Sequence, residues 1–187
     1  MLFSEIDELA EPDLLTKEFG QKAYKILRQV LLETQSGEVL ELNFEGIHVM
    51  DSSFAGASVI RLLRELVAGE YGERYVVLTN ISSSTEENIH LTIVGYGLKL
   101  GIQVVESESA YRLLGQIEPN LVETLDLINQ KKILTARQLA DRNPDLAINT
   151  ASNRLKKLFD LRQVRREERI DSVGKQHIYH SLLATAV

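Results

Sequence analysis

The chain has 187 residues, 44% of them hydrophobic and 26% charged, with no cysteine and a net charge of −6. Those values fit one large or two small globular domains and exclude disulfides and thiolate metal sites. The charge is uneven: residues 119–187 hold twelve Lys/Arg against eight Asp/Glu, whereas residues 1–118 hold nine against nineteen. A basic C-terminal part beside an acidic N-terminal part points to nucleic acid as the partner of the former.

The first residues, Met1-Leu2-Phe3-Ser4-Glu5, turn acidic at once and lack the basic and apolar stretches of a signal peptide. With no apolar run near the ~18 residues that span a bilayer, the expected location is cytoplasmic. Segment 14–35 places Leu15, Phe19, Ala23, Ile26, Leu27, Val30 and Leu31 at helical spacing, and Ser36-Gly37 stops it. Segment 38–44 alternates as a strand, and 46–50 continues as a loop or second extended piece. From Ser52 the period becomes 3.6, with Ala55, Val59, Leu62, Leu63 and Leu66 on one side. A buried strand is predicted at 75–78, a helix at 85–98, a strand at 102–105 and a short helix at 107–114. Strands alternating with helices predict an α/β domain, partly parallel, over 1–115.

Gly115-Gln116-Ile117-Glu118-Pro119-Asn120 interrupts this rhythm and marks the boundary of a second domain, 119–187. Helices are predicted at 121–130, at 135–141 with Thr135 and Gln138 as a capping box, and at 149–161 with Ala151, Leu155, Leu158 and Phe159 inward. Segments 164–170 and 175–180, joined by Asp171-Ser172-Val173-Gly174, read as a hairpin.

Three helices and a hairpin, with "TARQLADRN", "NTASNRLKKLFDLRQVRREE" and "GKQHIYHSL" in order, resemble a winged helix-turn-helix domain. The resemblance implies double-stranded DNA as partner. A recognition helix would present Asn149, Thr150, Ser152, Asn153, Arg154, Lys156 and Lys157 to the major groove. Asn reads adenine edges bidentately, and Arg and Lys reach guanine or phosphate. Arg165, Arg166, Arg169 and Lys175 would lie on the wing, beside a neighbouring backbone. Paired half-sites favour a homodimer. The same fold also serves protein contacts.

Residues 14–108, above all Asn43-Phe44-Glu45-Gly46 and Asp51-Ser52-Ser53-Phe54-Ala55, resemble the STAS-like family, relatives of anti-sigma factor antagonists. In the antagonists the serine after the aspartate is phosphorylated by a kinase-like ATPase, so the resemblance implies Ser52 as phosphoacceptor. Phe54 stands where the antagonists carry glycine, as in the STAS-like branch. Asp51, Ser52 and Ser53 are equally good helix-starting residues, and one of them must be the N-cap. Ser82-Ser83-Ser84-Thr85 offers a second site or a second cap. Neither a nucleophile–base pair nor a phosphate cradle nor a metal-ligand spacing among His48, His90, His177 and His180 is legible. The expectation is therefore a cofactor-free regulator that is not an enzyme: a STAS-like domain controlling a DNA-binding winged helix. The alternative is a partner-switching adaptor.

Overall fold

The computed structural model describes residues 12–171 and 174–183. The chain is mixed α/β, with three sheets among those residues. Strand β1 (Asp13–Leu14) runs parallel to β3 (Val49–Met50), Leu14 opposite Met50. Helix α1 (Lys17–Glu33) begins after Thr16, whose φ of 72° takes the chain out of the strand and whose hydroxyl accepts from the Phe19 N–H. The helix is therefore shorter than expected: Leu14 belongs to a strand, and Leu15 points outward, 42% exposed. Its buried stripe is Gly20, Ala23, Tyr24, Leu27 and Leu31.

The main sheet has the order β2 (Val39–Asn43), β4 (Tyr75–Thr79), β5 (Gly101–Val105), β6 (Tyr111–Gly115). The first three are parallel and β6 is antiparallel to β5. The single helix expected from Ser52 is two: α2 (Ser52–Ala57) and α3 (Val59–Val67), broken at Ser58. The buried Ser58 hydroxyl donates to the Phe54 carbonyl four residues back (2.7 Å), a bond that competes with regular helix. Helix α4 (Ser83–Gly95) starts two residues earlier than expected because Ser82 caps it.

The short helix expected at 107–114 is a correction. Residues Ser107 to Ala110 form a turn, closed by the Glu106 N–H donating to the Ala110 carbonyl, and β6 follows. Tyr111 and Leu113 pack to one face of the sheet and Leu114 to the other. That period of two, enforced by the partner strand β5, overrides any helical spacing.

The C-terminal part runs α5 (Pro119–Lys131), β7 (Ile133–Thr135), α6 (Ala136–Arg142), α7 (Ile148–Asp160), β8 (Val164–Asp171) and β9 (Gly174–Ser181). Its three strands are antiparallel in the order β7-β9-β8. The predicted capping box is present: Thr135 Oγ1 accepts from the Gln138 N–H (3.3 Å), and Gln138 Oε1 accepts from the Thr135 N–H (2.9 Å). The hairpin is as expected, with Ser172 and Val173 of its turn outside the described residues.

Alternation along the main sheet sorts its side chains between two cores. Leu40, Leu42, Val76, Leu78, Ile102, Val104 and Leu114 meet the helices α1 to α4. Val39, Tyr75, Val77 and Val105 meet Ile117, Leu121, Leu125, Leu158, Phe159 and Val164 of the C-terminal part. Only three residues join β6 to α5, and the second core crosses that connection. Within it lies a buried polar chain. Asn129 Nδ2 donates to Gln103 Oε1 (2.9 Å), Gln103 Nε2 to the Gln163 carbonyl (2.8 Å), Gln163 Nε2 to the Gly101 carbonyl (2.8 Å), and Ser181 Oγ to Asn129 Oδ1 (2.7 Å). Among the described residues no helix is long and apolar enough to cross a membrane.

Candidate nucleic-acid interface and the Asp51–Ser52 turn

Helix α7 divides lengthwise. Ala151, Leu155, Leu158 and Phe159 are buried, and Asn149, Thr150, Ser152, Asn153, Lys156 and Lys157 are exposed. Its exposed N-terminal turn shares a groove of about 520 Å³ with strand β9: Asn149 and Ser152 line it from α7, Lys175, Gln176 and His177 from β9, and Arg137 from α6. This brings together Asn149, Ser152 and Lys175 of the residues singled out in the sequence. It adds Arg137, Gln176 and His177, which sequence reasoning passed over. Arg137 had a signal, since Leu139 inward places it outward two residues earlier. Gln176 and His177 had none, because their position depends on how the hairpin lies against α7.

The remaining cations are distributed differently. Three lysines already hold partners: Lys156 with Asp160 (2.6 Å), Lys157 with Glu118 (3.1 Å) and Lys175 with Glu168 (2.6 Å). These are exposed pairs, each worth little in water and open to exchange for phosphate. Arg165 is half-buried and reaches the Ser181 carbonyl at 3.5 Å; the Arg166 guanidinium stacks 3.9 Å above the Phe159 ring. Both are turned into the fold. Arg154 is half-buried on the flank of α7, and Arg169 is exposed on β8. The hydroxyl of Tyr179, at the base of the groove, has its pKa raised by burial, with Arg166 nearby opposing the shift.

In the N-terminal part of the chain Asp51 is the N-cap of α2. Its Oδ1 accepts from the Phe54 N–H (2.7 Å) and the Ser53 hydroxyl (2.9 Å), and its Oδ2 from the Thr16 N–H (3.2 Å). Burial works to raise the Asp51 pKa, but these bonds to the charged form outweigh it and hold the carboxyl below its usual value. One carboxylate thus ties the starts of α1 and α2 together. Ser52 is exposed in the first turn of α2, its hydroxyl 3.4 Å from Asn88 Oδ1. Asn88 itself donates to the Met50 carbonyl (2.8 Å) and fixes α4 against β3. Ser82 caps α4 through the Thr85 N–H (3.3 Å), and its hydroxyl donates to the His48 carbonyl (2.7 Å). Of the serine-rich turns, then, Asp51 and Ser82 are the caps and Ser52 is left facing solvent.

No protein-family model, curated protein or solved structure matches this chain.

Proposed function

We propose that residues 119–187 form a winged helix-turn-helix unit that binds double-stranded DNA, and that residues 1–115 form a STAS-like sensing or docking domain packed against it. On this reading the protein is a cytoplasmic, non-catalytic transcription regulator acting as a homodimer. One observation carries it: α7 spends Leu155, Leu158 and Phe159 on the core and keeps Asn149, Thr150, Ser152 and Asn153 clear, beside the wing. The polar N-terminal turn of a recognition helix is the part that enters a major groove.

The order of helix, short strand, two helices and a hairpin, with the strand order β7-β9-β8, supports the winged-helix reading. The basic balance of residues 119–187 supports an anionic partner. On this reading Arg137 and Lys175 of the groove meet phosphate, and the exposed Asn149 and Asn153 meet base edges. The test is titration of the full-length protein with duplex DNA over a range of salt. Each phosphate contact contributes about −0.9 to the slope of log K against log salt. Arg137→Ala with Lys175→Ala flattens that slope by about 2 and weakens all sequences alike. Asn153→Ala leaves the slope and relaxes the preference at one base pair.

The ion pairs on Lys156, Lys157 and Lys175 favour a second reading, in which the unit contacts protein. The chain would then be a partner-switching adaptor, with Ser52 phosphorylated by a kinase-like ATPase. Absence of duplex binding at low salt, together with a Ser52→Asp change in affinity for such an ATPase, selects that reading.

A further inference from the structure

The chain leaves the main sheet at Gly115, the last residue of β6, and enters α5 at Pro119. Gly115 sits hard against its surroundings. Its φ is +92°, where side chains other than glycine's are strained. A Cβ there would collide with the Leu100 carbonyl oxygen and meet Ile93 of α4 at 3.0 Å. The position is held through its backbone instead. The Gly115 N–H donates to His90 Nδ1 of α4 (3.1 Å), and the Gln116 N–H donates to the Leu100 carbonyl (2.9 Å).

A backbone N–H only donates, so the first of these bonds needs a bare Nδ1. The His90 ring is then the neutral tautomer with its proton on Nε2. A proton on Nδ1 sets N–H against N–H, and the bond cannot survive it. The charged ring has other partners at hand. Glu86 and Glu87 lie one turn back on α4 and line one open cleft with His90, Leu113 and Leu114. Glu87 is exposed. Glu86 is paired with Arg112 of β6 (2.8 Å), which also reaches Glu106. The charged groups around the ring are therefore two acids on its own helix and one arginine, already paired, on the strand.

We propose that His90 is a proton-operated latch on the joint between the main sheet and α5. Neutral, it holds the end of β6 through the Gly115 N–H. Protonated, it releases that N–H and turns to the Glu86 and Glu87 carboxylates. The bond is present while the ring is neutral and is lost as pH falls and the ring takes up a proton. The buried Gln103, Asn129 and Gln163 amides do not titrate, so release loosens the joint and leaves the two halves packed. The latch goes beyond the DNA-binding reading and does not depend on it.

The test is NMR of the full-length protein from about pH 8 to about pH 5, the range in which histidine changes charge. Ring nitrogen shifts report the His90 tautomer. The Gly115 amide is followed by its shift and by hydrogen exchange, corrected for the intrinsic effect of pH. The latch predicts a bare Nδ1 at the alkaline end. Gly115 protection then falls about fivefold on the same pH curve as the ring, the worth of one ordinary hydrogen bond. Amides of β2 and β4 keep theirs. His90→Asn puts a carbonyl oxygen, which does not titrate, near the place of Nδ1, and Gly115 stays protected throughout. His90→Phe offers no acceptor, and Gly115 is poorly protected throughout. The proposal is overturned by a proton on Nδ1 at the alkaline end, by a ring that stays neutral to the acid end, or by Gly115 protection that ignores the ring's titration. It is overturned equally by a pH dependence that persists in His90→Asn, by full protection in His90→Phe, or by a loss spread evenly over β2 and β4.

Discussion

On one face of the main sheet, Leu42, Val76, Leu78 and Val104 meet apolar side chains of α1 to α4; on the other, Tyr75, Val77 and Val105 share the surface with Gln103. The first contact is held mainly by apolar area, which is strong but non-directional, with the Gly115 N–H donating to His90 Nδ1 and the Arg112–Glu86 pair joining β6 to α4 beside it. The second adds a buried polar chain, the Gln103, Asn129 and Gln163 amides with the Ser181 hydroxyl, each 3% exposed or less. Such groups are costly to bury unless every one finds its partner, and they find it in one arrangement only. The same sheet thus buries its early helices by hydrophobic contact and fixes the late ones in register by hydrogen bonds. Tyr111 repeats the device at the edge: its hydroxyl donates to Asp126 Oδ1 of α5 (2.6 Å), and burial first, then that bond, raises its pKa.

The largest effect is expected on the apolar face. Leu42→Ala opens a cavity at a fully buried position and costs about 3 kcal/mol of unfolding free energy, measured by denaturant titration. If the loss is under about 1 kcal/mol, the face is not packed as described. Asn129→Ala comes next. It strands Gln103 Oε1 and the Ser181 hydroxyl without their partner and costs about 2 kcal/mol. Hydrogen exchange sharpens the contrast: Asn129→Ala speeds exchange in α5 and β9 more than in α1, whereas Leu42→Ala does the reverse. Equal loosening of both would mean that the amide chain does not hold the second face.

The smallest effect belongs to the Asp51 turn, at the start of α2. Asp51→Ala removes the cap of α2 and the acceptor for Thr16, for about 1 kcal/mol. Because the folded pKa of Asp51 lies below its unfolded value, its contribution is present in full above the unfolded pKa. It fades as pH falls through the folded pKa. Wild type and Asp51→Ala should therefore differ at pH 7 and converge in acid, read as unfolding free energy against pH. A difference that persists at low pH would assign the effect to packing instead.

The sequence by itself determined what acts within a turn or two of chain. Ala23, Leu27 and Leu31 of the α1 stripe, the inward set of α7, the Thr135–Gln138 box and the hairpin of β8 and β9 were legible, because caps, turns and periodicity need only near neighbours in the chain. The polar outer face of α7 was legible for the same reason, and with it Asn149, Ser152 and Asn153. Tertiary structure decided the rest. Residues 111–115 became a strand because β5 was beside them to take their hydrogen bonds. Ser58 broke a helix that its periodicity would have continued, where its hydroxyl turned back to Phe54. Gln103 and Gln163 stand 60 residues apart, and no local pattern marks two amides as partners before the fold buries them together. Arg137 and His177 joined Asn149 in one groove by the same route. Burial makes an unpaired polar group expensive, and only the folded chain says which groups are buried against which.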